Sequence, residues 1–125
     1  MIEKAIENLA AAQDCYKRNQ FNAAANRAYY AMYHAAVAAL DNAGFASQRA
    51  NGRWQHGTVK RAFNLQLGSS GAGVFPERCY QYLDDGYAMR VKADYRPDNV
   101  RIEEAEQIVK WCDDMVRIVR ERLLP

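Results

Sequence analysis

Residues 21–43, FNAAANRAYYAMYHAAVAALDNA, decide the fold. Phe21, Ala24, Ala25, Ala28, Met32, Ala35, Ala36, Ala39 and Ala43 recur at three- and four-residue steps, the period of an α-helix. Tyr30 and Val37 stand on the opposite side, so this helix is apolar most of the way round. A helix of that kind belongs at the centre of a bundle. Its small residues allow neighbouring helices to come close, and Gly44 is a C-terminal stop.

The flanking sequence continues the helical pattern. Upstream, Ile2, Ile6, Leu9, Ala10 and Tyr16 define an amphipathic helix over 2–18, broken by Asn19 and Gln20. Downstream, GFASQRANGRWQ at 44–55 reads as a loop carrying two exposed aromatics, Phe45 and Trp54. A short helix from His56 to Leu67 puts Val59, Phe63 and Leu67 on one face, and GSSGAG at 68–73 is flexible punctuation. Pro76 suits the first turn of a fourth helix, which carries Cys79, Leu83, Gly86 and Met89 to about Val91. In ADYRPDN, Pro97 and the Asp98–Asn99 pair stop that helix and cap the next. The last helix, 100–123, places Ile102, Ala105, Val109, Cys112, Val116, Val119 and Leu123 inside. Its Glu103, Glu104 and Glu106 come early and Arg117, Arg120 and Arg122 late, which complements the helix dipole. With no strand-like alternation, repeat or linker, residues 1–125 read as a single all-α domain. The expected architecture is an antiparallel helical bundle of four main helices and a short one.

Composition narrows the function classes. Of 125 residues, half are apolar and 26% charged, which suits one globular domain with its own core. A net charge of +2 is too weak to announce a nucleic-acid binder by bulk charge, and DNA is not an expected partner. Cys15, Cys79 and Cys112 are an odd number without a CxxC pair, which points to a reducing cytoplasm. Three scattered cysteines and two histidines also argue against a zinc site, so neither a metal nor a cofactor is expected. Glu3, Lys4 and Glu7 interrupt the apolar N-terminal pattern, which reads as neither signal peptide nor membrane span. Nucleotide cradles that open a helix after a strand are missing, as are GxSxG and HExxH. The pairs Asp84–Asp85 and Asp113–Asp114 point about 100° apart on their helices and read as solvated faces.

Two constellations remain. In the second helix, Arg27 and His34 are seven residues apart, about 10 Å along one face, with Tyr30 between them. They suit either a ligand groove or a carboxylate-paired Arg beside a hydrogen-bonded His. Before the last helix, Arg90, Lys92 and Arg96 gather positive charge around Asp94 and Tyr95 at a non-helical corner. Such corners offer unpaired backbone groups to a ligand. An Arg90–Asp94 pair at i, i+4 with Tyr95 packed as a corner would give the same pattern.

Three segments together resemble the HEPN domain family, in its small, stand-alone prokaryotic branch. They are NRAYYAMYHAAVAAL at 26–40, the H-G-x-V-x-x-x-F run from His56 to Phe63, and R-x-K-A-D-Y from Arg90 to Tyr95. The resemblance implies an antiparallel helical bundle that forms homodimers. It implies either a metal-independent endoribonuclease, often a toxin paired with a nucleotidyltransferase antitoxin, or a member that binds RNA, nucleotides or proteins without catalysis. Catalytic members resemble one another in an Arg followed four to six residues later by a His. Arg90 matches that Arg, but Asp94 stands at the His position. An aspartate needs a large upward pKa shift to act as general acid near neutrality. The resemblance also matches Tyr95 to the tyrosine that partner nucleotidyltransferases modify.

Three readings stand at this point. The first is a cytoplasmic, dimeric binding module for RNA, nucleotide or a nucleotidyltransferase, a toxin–antitoxin or defence component without catalysis. Its ligand residues are Arg90, Lys92, Asp94, Tyr95, Arg96, Arg27, Tyr30 and His34. The second is a divergent metal-independent endoribonuclease using Arg90, Asp94 and a proton from His34 or His56. The third is a purely structural or protein-interaction dimer. The dimer is expected because residues 21–43, with Phe45 and Trp54, present more apolar surface than one bundle covers.

Overall fold

A computed structural model describes residues 2–45, 56–68 and 73–123. Among them are five helices and no strand: α1 (Ile2–Lys17), α2 (Phe21–Asn42), α3 (His56–Ala62), α4 (Glu77–Tyr95) and α5 (Ile102–Leu123). The all-α bundle is as expected. Trp54, Ser69–Ala72 and the side chain of His56 lie outside the described residues.

Both ends of the first connection follow from the sequence. Asn19 adopts the left-handed conformation at φ 61°, and the N–H of Gln20 reaches back to the Cys15 carbonyl. Gly44 does the same at φ 91° after α2, with the Phe45 N–H donating to Leu40. Each is a Schellman turn, which satisfies carbonyls a helix end leaves open. The second turn also folds Phe45 back against the core. Phe45 is therefore half-buried rather than an exposed aromatic.

α2 is the central helix. Ala24, Ala25, Ala28, Ala31, Ala35, Ala36, Ala38 and Ala39 are all buried, together with Tyr29, Met32, Val37 and Leu40. α1, α3, α4 and α5 all pack on it. Much of the apolar surface of α2 is thus covered within one chain, with Phe21, Tyr30 and Tyr33 only partly buried. α1 contributes Ala5 and Ala12 as its buried floor; Ala10, expected inside, is exposed. Small residues facing small residues bring the two backbones close. Gly86 does this for α4: a Cβ there would lie 2.6 Å from Met32 Cε.

The short helix spans His56–Leu67 as expected but changes type, and two other boundaries differ from the expected ones. α3 continues as a π-helical turn, Phe63–Leu67, whose last bond runs from the Gly68 N–H to the Phe63 carbonyl at 2.9 Å. Val59, Phe63 and Leu67 are buried on one side as expected. α4 runs to Tyr95, not Val91, because Pro97 restricts only the residue before it. Arg96 accordingly turns extended, at ψ 148°. Asp98 and Asn99 do not cap α5. Glu104 does, its Oε1 accepting the Arg101 N–H at 2.9 Å, while Asn22 of α2 accepts the Val100 N–H at 2.8 Å. The inner face of α5 also includes Ile108, Met115 and Ile118, whereas Ile102 is exposed.

Neither acidic pair is simply a solvated face. Asp84 accepts from Lys60 at 2.6 Å, joining α3 to α4. Asp114 accepts from Arg78 at 2.8 Å and Tyr82 at 2.7 Å, and also pairs with Arg117. Burial by itself raises Asp114, but the hydrogen bonds from Arg78 and Tyr82 outweigh it and hold the carboxyl below its ordinary value. Burial and the same bond push the Tyr82 phenol up to about 12. This junction ties α4 to α5.

Two measurements check this packing. Gly86→Val should destabilise the domain by about 1–3 kcal/mol in urea unfolding, since Met32 must move to admit it. Because the folded pKa of Asp114 is depressed, its contribution is complete above about pH 4 and lost as pH falls through the folded value. Asp114→Asn should lower stability at pH 7 by about 1–3 kcal/mol and flatten the acid limb of the stability curve.

Candidate functional site

The α2–α4 face gathers the polar groups. Asn22, Asn26, Tyr30 and His34 are spaced four residues apart, so they form one stripe along α2. Asn22 holds the α4–α5 connection, donating to Asn99 Oδ1 at 3.1 Å as well as accepting from Val100. Asn26 donates to both oxygens of Asp94, at 3.2 and 3.0 Å. Its own carbonyl oxygen accepts from Arg27 Nε at 3.0 Å and Nη2 at 2.6 Å. Arg27 Nη1 also reaches Asn8 of α1 at 3.4 Å.

Arg90 is the centre of the face. Its side chain is only 14% exposed, with Nε 3.1 Å from Asp94 Oδ2 and out of line for a hydrogen bond. The guanidinium lies 5.5 Å from the Tyr30 ring centroid and 5.6 Å from that of Tyr95. Arg27 approaches Tyr30 as well, at 5.7 Å. A cation beside an aromatic face gains electrostatic attraction in addition to packing. Burial alone would lower the Arg90 pKa; facing Tyr30, Tyr95 and Asp94 more than compensates, and the group stays charged. Tyr30 also packs near His34, with centroids 6.5 Å apart, and Tyr33 meets His34 edge-on at 5.5 Å. Tyr95 ends α4 with 71% of its surface exposed.

The expected cluster of three cations is divided. Arg90 and Lys92 point about 200° apart on one helix, so they serve different neighbours. Lys92 turns to α5, donating to Glu104 at 2.9 and 3.2 Å and lying 3.6 Å from Asp98. Arg96 shares that side, at a cleft of about 380 Å³ that Met89 and Trp111 also line. Hydrogen bonds from the Arg101 backbone and Lys92 hold the Glu104 carboxyl below its ordinary value. The corner is also helical as far as Tyr95, so its open backbone groups are fewer than the sequence suggested. The structure brings together Arg27, Tyr30, His34, Arg90, Asp94 and Tyr95, and separates Lys92 and Arg96 from them.

Sequence reasoning assigned no role to Asn8, Asn22 or Asn26, although the four-residue spacing from Asn22 to His34 was visible. Among the described residues, no group of three or more His, Cys, Asp or Glu side chains could hold a metal ion. None of the described helices is long and apolar enough to cross a membrane.

A model of the HEPN domain matches residues 1–122. The chain belongs to the HEPN domain family. A Methanocaldococcus jannaschii relative, named "Putative toxin MJ0605", is 32% identical over 124 residues, covering 98% of this chain and 86% of that protein. In this HEPN domain the fold places Arg90 between two tyrosines, Tyr30 and Tyr95.

Proposed function

We propose that this HEPN domain is the binding module of a toxin-type system and holds single-stranded RNA on its α2–α4 face without cleaving it. The observation that carries the reading is the setting of Arg90. Its Nε side faces Asp94 and its flanks face Tyr30 and Tyr95. A guanidinium held this way offers its fork to a phosphate. Tyr95 beside it offers an open ring on which an unpaired base can stack. The name of the archaeal relative supports the toxin-type setting. The absence of cleavage rests on Asp94, which stands where catalytic members have a His and whose oxygens already engage Asn26 and Arg90.

A second reading, a divergent metal-independent endoribonuclease, draws on Tyr30 lying beside both Arg90 and His34. Incubation with single-stranded RNA in chelator separates the two. Intact RNA is the expected outcome, and cleavage that His34→Ala abolishes would establish the enzyme instead.

Binding is measured with a short fluorescent single-stranded RNA. Arg90→Ala should weaken it by about 1.5–3 kcal/mol, and affinity should fall steeply with salt. Arg96→Ala and Arg120→Ala, away from this face, should change little. Asp94→Asn removes a carboxylate that competes with phosphate for Arg90 and should tighten binding. Equal affinity for wild type and Arg90→Ala would reduce this face to architecture.

A further inference from the structure

Beside the Arg90 site, between α2, α3 and α4, lies a separate small cavity of about 170 Å³, lined by Tyr29, Gly57, Lys60 and Tyr87. That is room for about five waters, well below the size of a pocket for a drug-sized ligand. It suits one planar ring system. Tyr29 and Tyr87 form an aromatic corner, their centroids 5.8 Å apart and their planes inclined by 67°. Tyr87 is 41% exposed, so ring surface remains for a ligand. At Gly57 a Cβ would meet nothing within 4 Å among the described residues.

The ammonium of Lys60 is a donor at this cavity. Lys60 gives one ammonium proton to Asp84 at 2.6 Å and keeps two more for other acceptors. That hydrogen bond raises the Lys60 pKa, so the ammonium persists. Burial raises the Tyr29 phenol, so it keeps its proton. Nucleobase edges carry carbonyl oxygens and ring nitrogens that accept from such donors.

Position links the cavity to Arg90. Tyr87 precedes Arg90 by three residues on α4, about 4.5 Å along the axis. Tyr29 precedes Tyr30 on α2, and their rings are 5.6 Å apart. A chain of ring contacts, through the buried Tyr29, therefore links the cavity to the ring that flanks the Arg90 guanidinium. We propose that this cavity receives an unpaired nucleobase of the strand whose phosphate rests on Arg90, with the base against Tyr87 and its edge toward Lys60. The proposal rests on the RNA reading of the Arg90 face and makes the ligand a splayed, single-stranded nucleotide rather than any polyanion.

The test compares a short single-stranded RNA of mixed sequence with the same ribose–phosphate chain lacking its bases. Both carry the same phosphates. Wild-type protein should bind the base-less chain about tenfold more weakly. Gly57→Leu, which adds bulk at that wall, should lose most of this discrimination and keep only the part owed to a base stacked on Tyr95. If thermal unfolding shows Gly57→Leu to be misfolded, the partly exposed Tyr87 is truncated instead, and Tyr87→Ala should remove most of the discrimination. Equal binding of both chains by wild type, with Arg90→Ala weakening both, overturns the base cavity and leaves the phosphate site standing. Discrimination that stays at the wild-type level in a folded Gly57→Leu or Tyr87→Ala also overturns it. If neither chain binds, the RNA reading falls and the cavity proposal falls with it.

Discussion

Everything in this bundle depends on how closely its neighbours can approach α2. Eight buried alanines line that helix, so short side chains make up most of its buried face. On the α4 side the approach is closest at Gly86, where Met32 Cε already occupies the space a Cβ would need. Close backbones leave little room for reorientation, so the polar side chains at the rim meet in a defined register. The contact of Asn26 with Asp94 and that of Tyr30 with Arg90 are consequences of that register.

Helical geometry then sorts the charges on α4. Residues two apart face nearly opposite ways, so Arg90 is committed to α2 and Lys92 to α5. The acid at Glu104 absorbs Lys92, whereas Arg90 meets tyrosines on either side and only one carboxylate. The outcome is an aromatic-flanked guanidinium rather than a basic patch. Such a group recognises a phosphate together with what is attached to it, because the rings beside it take part in the contact. Asparagines at four-residue spacing complete the arrangement: Asn22 holds the chain entering α5 and Asn26 holds Asp94.

Much of the fold was legible because the signals were local. Gly44 and Asn19 mark helix ends through a backbone conformation that few other residues adopt readily, and both lie where the structure turns. The alanine period of α2 identified the central helix. Where the reading erred, tertiary packing had intervened. The α5 stripe was drawn through Ile102, but burial follows Ile108, Met115 and Ile118 because α5 lies against both α1 and α2. Phe45 looked exposed in a loop until the turn at Gly44 folded it back. Asp84 and Asp114 looked solvated because their partners, Lys60 and Arg78, are 24 and 36 residues away in the chain.

By itself the sequence determined the helical class, the central place of α2, the turn residues and the candidate cation Arg90. Those follow from periodicity and backbone preference, which act over a few residues. The partners of each charge were decided only when the helices packed. Nothing local in R-x-K-A-D-Y tells Arg90 from Lys92, because both are cations on one helix and their difference is the direction each faces. Direction has chemical meaning only once α2 supplies Tyr30 and Asn26 on one side and α5 supplies Glu104 on the other.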